Sequence, residues 1–233
     1  MPARPQRSEG ARRAAAGLLG LAATALAALA GPESAGPAMA AGPAMAAAGA
    51  GATTDLRDLR VGMPLSEVSA TGYADLACRE GPPRTLGTWG EWRACPADAA
   101  GRHAIGFAYA DGTTRDGTRV AGHPARLTLL VGEDARVDGL VIETDDKVPL
   151  YLRKKGHLLG LQARGHWGED GWSCADEKAA GDEAPLGDTF VKEECRKRLA
   201  DRTVTVRRDL YHHAGQDPRA FVSRTRITVA VAK

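Results

Sequence analysis

Four cysteines at two similar spacings constrain this chain more than any other feature. Cys78 and Cys95 lie 17 residues apart, and Cys174 and Cys195 lie 21 apart. In each copy a short apolar segment leads into a turn bearing glycine and an aromatic, and then a cysteine. An alternating strand begins eight or nine residues after the second cysteine, at 104–109 and at 203–206. An x-Pro turn (His123-Pro124, Asp217-Pro218) and a further strand follow each. The pattern predicts two units on one plan and favours Cys78–Cys95 and Cys174–Cys195 among the three possible pairings.

Whether those cysteines pair depends on the compartment. Residues 1–13 are basic, and 14–30 form an alanine- and leucine-rich run ending in Ala28-Leu29-Ala30 before Gly31-Pro32. That is the layout of a secretory signal peptide. The run is short and weakly apolar for a transmembrane anchor. Arg12-Arg13 permits a twin-arginine route but lacks the rest of that pattern, and no lipid-acceptor cysteine follows. A second A-x-A, Ala38-Met39-Ala40, leaves the cleavage point open. The protein is therefore expected to be periplasmic or secreted, with no stable membrane span after cleavage. Export favours disulfides over thiols, each worth about 3 kcal/mol on the chain-entropy account. A zinc site is disfavoured because no C-x-x-C spacing occurs.

Residues 31–54 are rich in Ala, Gly and Pro and contain Ala-Gly-Pro-Ala-Met-Ala-Ala at 35–41 and again at 41–47. A stretch that cannot bury apolar surface is read as a disordered linker. The remaining residues suffice for a core that buries about 70% of the unfolded chain's surface. The formal charge of +2 comes from the first 30 residues, which carry +3; the rest sums to −1. Such a balance gives no electrostatic argument for nucleic acid or an anionic membrane.

Within the folded part, Pro64, Leu65 and Val68 predict a short helix over 64–71, ended by Gly72. Trp89-Gly90-Glu91-Trp92 reads as a short extended piece. Leu127, Leu129 and Val131, the turn Gly132-Glu133-Asp134-Ala135, and the return from Val137 to Ile142 predict a hairpin. Val148-Pro149 opens a predicted helix to about Ala163, weakened by Gly156 and Gly160. Residues 189–199 fit a helix through the Glu193/Lys197 and Glu194/Arg198 pairs, or a strand by analogy with the first unit. In the last strand Phe221, Ser223, Thr225, Ile227, Val229 and Val231 face one way, with Arg224 and Arg226 opposite. The expectation is α+β: two tandem units, 55–146 and 147–233, each a helix packed on an antiparallel sheet with one disulfide.

The stretch Gly62-Met63-Pro64-Leu65-Ser66-Glu67-Val68 resembles the helix entry of small exported domains related to the outer-membrane assembly lipoproteins. The tandem layout with one disulfide per unit is similar to the beta-lactamase-inhibitor-protein family. Members of both kinds bind other proteins and do no chemistry. The resemblance covers about seven residues plus the layout, and no family contact motif is matched.

No catalytic signature stands out. His212 and His213 would point to opposite faces of a strand, and His103, His123, His157 and His166 are scattered, so all six are read as surface or turn residues. Trp172-Ser173-Cys174 is no nucleophile elbow. The turn at 111–117 lacks the alternating carboxylates of a calcium loop. The acidic stretch at 168–188 reads as a solvated, mobile insertion. Trp89, Trp92, Trp167 and Trp172 cluster near the cysteines; they either pack on the disulfides or form a binding patch. The chain is thus expected to be a non-enzymatic periplasmic protein without cofactor, binding an envelope protein or small ligand on its sheet face, and no nucleic acid. A hydrolase with a dispersed site, or a cation-binding protein, is the alternative.

Overall fold

The computed structural model describes residues 54–111, 117–217 and 219–232. The expected signal peptide and linker lie outside them except at Thr54, as does most of the expected loop tip at 111–117. Ten strands form: β1 Tyr73–Cys78, β2 His103–Tyr109, β3 Arg119–Val120, β4 His123–Val131, β5 Val137–Thr144, β6 Ser173–Asp176, β7 Glu183–Ala184, β8 Val191–Arg198, β9 Arg202–His213 and β10 Val222–Val231. A helical segment between β5 and β6 contains α1 Leu150–Arg153, a 3-10 turn Gly156–Leu158, and α2 Leu159–His166.

The predicted hairpin is β4–β5, paired Leu127 to Ile142 and Leu129 to Leu140. Alternation decides its faces: Leu127, Leu129 and Val131 are fully buried, and Arg126, Thr128 and Leu130 lie on the other side. Eight strands make one antiparallel path in the order β1-β2-β4-β5-β10-β9-β8-β6, with β3 beside β4 and β7 beside β9. The path is two meanders joined at their last strands, Ile142 opposite Ile227 and Leu140 opposite Val229.

This corrects the expected architecture. The chain is mainly β, and the two stretches share one sheet and one core; they are not two helix-on-sheet units. Where a helix was predicted at 64–71 there is only a 3-10 turn, Leu65–Glu67, and Val68 is already extended at ψ 128°. Ser69 Oγ accepts hydrogen bonds from the backbone N–H of Thr71 (3.3 Å) and Gly72 (3.2 Å), offering the chain a turn instead of a further helical one. Trp89–Ala94 is likewise 3-10 rather than extended. With three residues per turn, Trp89 and Trp92 fall on one side, and both are buried.

Residues 189–199, open from sequence, contain strand β8. Its acids find partners in the sheet: Glu193 accepts from Arg208 on the neighbouring strand at 2.8 Å, and Glu194 accepts from Arg196 two residues along its own strand at 3.0 Å. Both expected disulfides are present. Their settings differ. Cys174 and Cys195 face each other on paired strands β6 and β8, whereas Cys78 ends β1 and Cys95 follows the second 3-10 turn. Cys95 therefore precedes β2 while Cys195 lies inside β8, and the spacing rule that aligned the two copies does not describe equivalent places.

Among the described residues only one face of the sheet is covered. The helical segment lies on it, and polar residues of β10 hold it there. Thr225 Oγ1 donates to Gly156 O (2.9 Å) and accepts from Gly160 N–H (3.1 Å), while Ser223 Oγ donates to Lys154 O (3.2 Å). The two glycines that weaken the helix prediction permit this approach. A Cβ on Gly156 would stand 2.5 Å from Ser223 O, and one on Gly160 2.5 Å from the Arg208 side chain. The start of the described chain is pinned by Asp55, whose fully buried carboxylate accepts from Arg202 Nε (2.8 Å), Trp167 Nε1 (3.1 Å) and Val61 N–H (2.8 Å).

Candidate binding surfaces

No helix or strand among the described residues lies over the second face of the sheet. Strand register arranges its side chains in rows. One row is small and apolar: Ala104, Leu130, Gly139 and Ala230 lead to Thr203 and Arg198. The next is Gly106, Thr128, Val141, Thr228, Thr205 and Arg196. The third mixes charge: Arg126, Glu143, Arg226, Arg207 and Glu194. Several of these charges pair along the surface, Arg226 with Glu143 at 2.8 Å, Arg207 with Glu177 at 2.9 Å and Arg224 with Asp209 at 2.7 Å. The Arg226–Glu143 and Arg207–Glu177 pairs are partly exposed and contribute little to stability, whereas the Asp209 carboxylate is buried.

At the β1–β2 end this face has a notch of about 280 Å³, floored by Ala77, Gly106 and Ala108 and walled by Arg79, Arg126 and Asp75. Arg79 lies across Gly106, donating to Thr128 Oγ1 (3.2 Å) and Leu127 O (3.0 Å). Burial, with the neighbouring positive charge of Arg126 second, holds its pKa below the ordinary guanidinium value. Arg126 Nε is buried with no hydrogen-bond partner among the described residues. Two guanidiniums thus converge on a recess able to take an anionic group. A second recess of about 510 Å³ lies by edge strand β6, between Ser173, Ala175, Glu194, Arg196 and Arg198.

On the covered side, a pocket of about 200 Å³ opens between α2, residues 55–57 and residues 120–121, floored by Ile142, Leu159 and Ile227. Its polar groups are engaged. Asp55 serves the tie described above, and His166 Nε2 donates to Thr54 O at 3.2 Å.

Three of the four candidate tryptophans are core residues. Trp89, Trp92 and Trp167 are 6%, 4% and 2% exposed, so as packed they offer no surface to a partner. Trp89 and Phe107 meet edge to face, as do Trp92 and His103. Trp172 is partly buried, donating from Nε1 to Gly168 O (2.9 Å) beneath the Lys197 ammonium. All four are away from the open face, which sequence reasoning had no means of lining because its contributors are Ala, Thr and Arg.

The histidines are not all superficial: His103 is buried and donates from Nδ1 to Cys95 O at 2.6 Å. Ser223 Oγ and His157 Nδ1 meet at 3.2 Å, but Ser223 is buried and its hydroxyl is spent on Lys154 O. In the acidic stretch Glu183 is held by Lys192 at 2.8 Å and Glu177 by Arg207 at 2.9 Å, and Asp182 lies 3.2 Å from His213 Nδ1, so each of these carboxylates already has a side-chain partner. Among the described residues one trio has ligand spacing, Cys174, Glu193 and Cys195, and its sulfurs form the disulfide. The two disulfides are compatible with an extracellular or periplasmic location, and no helix of the described residues is long and apolar enough to cross a membrane.

Comparison with protein-family models, with curated proteins and with solved structures gives no match to this chain.

Proposed function

We propose that this chain is an exported, non-enzymatic protein that binds a protein partner on the uncovered face of its sheet. The observation that carries the reading is the asymmetry of that sheet. One face is closed by hydrogen-bonded helix and loops, and the other presents, among the described residues, small residues, threonines and a notch walled by Arg79 and Arg126. A partner with an exposed carboxylate would meet the Arg79 and Arg126 guanidiniums that line the notch with charge-assisted hydrogen bonds. The two disulfides agree with export.

Affinity capture from an envelope extract tests it, with the oxidised wild type beside a Thr205→Arg/Thr228→Arg variant. The reading expects a specific partner retained by the wild type and lost from the variant, whose bulky cations cross the middle row. The covered-side pocket favours a second reading, a small apolar ligand between α2 and Ile142. Retention of no protein together with a thermal shift from compact apolar compounds would favour it.

A further inference from the structure

The helical segment covers the sheet with one side only. Gly156, Leu159, Gly160 and Ala163 are buried on the sheet side. On its outward side stand Leu150, Tyr151, Leu158 and Leu161, at 41%, 62%, 36% and 44% exposure. These are four of the five large hydrophobic side chains exposed among the described residues. Scattered apolar side chains need no explanation, but a concentration of them on one short element does.

Charge is concentrated in the same place. Residues 147–164 contain Lys147, Arg153, Lys154, Lys155 and Arg164 and no acidic residue, although the folded part as a whole is nearly neutral. Arg164 is committed to Glu193 at 3.8 Å and Arg153 to Arg219 O at 2.5 Å. The three lysines are exposed beside the apolar side chains. The positive field extends to β3: Lys155 and Arg119 both disfavour protonation of His123, whose burial is the larger cause of its lowered pKa. The preceding acids, Asp145 and Asp146, belong to the end of β5, where Asp145 accepts from Lys147 N–H and Asp146 lies 3.9 Å from Arg126.

Apolar side chains exposed among lysines on a helical surface that no other described residues cover match the chemistry of the interface of an anionic bilayer. We propose that the outward side of residues 147–164 docks on an anionic phospholipid surface, with Leu150, Tyr151, Leu158 and Leu161 entering the headgroup boundary and the three lysines pairing with lipid phosphates. This is peripheral attachment, distinct from any anchor in the first 30 residues. It leaves the opposite, open face of the sheet turned away from the lipid.

Flotation of the full chain with vesicles of phosphatidylcholine alone, or mixed with phosphatidylglycerol, tests it. The wild type is expected to float with the anionic vesicles, not with the neutral ones, and to be released by 0.5 M salt, roughly the range in which surface charges are screened. Lys154→Glu/Lys155→Glu lowers the partition coefficient by about 25-fold or more, from roughly 5-fold for each lysine lost. Leu158→Ser/Leu161→Ser weakens binding with little change in its salt dependence. All four positions are exposed, and far-UV circular dichroism confirms that the variants stay folded. The proposal is overturned if anionic vesicles retain nothing. It is equally overturned if wild type and variants float alike, which would assign binding to residues 14–30. Concentration-dependent self-association abolished by the serine variant, without vesicle binding, would show that a second copy covers the patch.

Discussion

The two faces of one sheet are built by opposite rules, although the same strands supply both. On the covered face polar residues are few and each has a fixed partner: Asp55 with Arg202, Thr225 with the backbone of Gly156 and Gly160, Ser223 with Lys154 O. On the open face polar residues are many, and they pair with each other along the surface or, like Arg126 Nε, have no hydrogen-bond partner among the described residues. The first face carries the internal hydrogen bonds of the fold, and the second is the one proposed to stay available to a partner. Substitutions should therefore cost stability on one face and binding on the other.

The largest expected effect is at Asp55. Asp55→Ala leaves Arg202 buried without its main counter-charge, and a loss of about 3–5 kcal/mol is expected in urea unfolding. A cost near zero would mean that water replaces the carboxylate and that the covered face is looser than described. Next come the disulfides. Replacing Cys174 and Cys195 together by serine should lower stability by about 3 kcal/mol, with hydrogen exchange accelerating first in exposed β6, since that strand pairs only with β8. Thr225→Val should cost about 2 kcal/mol or more by leaving helix backbone groups unpaired. Thr228→Val, on the open face of the same strand, should stay within about 0.5 kcal/mol. Equal effects at 225 and 228 would erase the distinction between the faces.

A smaller effect should appear with pH, again on the covered face. Burial lowers the pKa values of His123 and His157 from 6.5 in the folded protein. The unfolded chain then takes up protons that the folded one refuses, so stability is full above pH 6.5 and falls as pH drops through 6.5 toward the folded values. His123→Gln and His157→Gln should each flatten the dependence of the unfolding midpoint between about pH 7 and 5. An unchanged slope would place both rings in solvent.

Much of this was readable in the chain. The β4–β5 hairpin announced itself through Leu127, Leu129 and Val131, and β10 through its alternation, because a period of two assigns faces directly. The cysteine pairing was also legible. The two-unit plan was not, because it extended cysteine spacing to secondary structure: Cys95 and Cys195 have similar offsets but lie outside and inside a strand. The missing first helix was decided by Ser69, whose side chain competes for backbone donors, and helical periodicity does not register that competition. The Glu193/Lys197 and Glu194/Arg198 pairs suit a helix, yet in the strand Arg208 from across the sheet and Arg196 from the same strand satisfy these acids. Buried tryptophans drew attention from a face whose contributors are ordinary singly and informative only as rows. The basic run at 147–164 was visible in the sequence, but net charge averaged it away.

The central claim, that the open face meets the partner, is tested most directly by photo-crosslinking in cells. A photoreactive residue is placed at Thr228 on the open face, or at Gln162 on the outside of α2. The account predicts a discrete protein adduct from position 228 and none from 162. A discrete protein adduct from 162 with nothing from 228 would contradict it and move the binding function to the helical side.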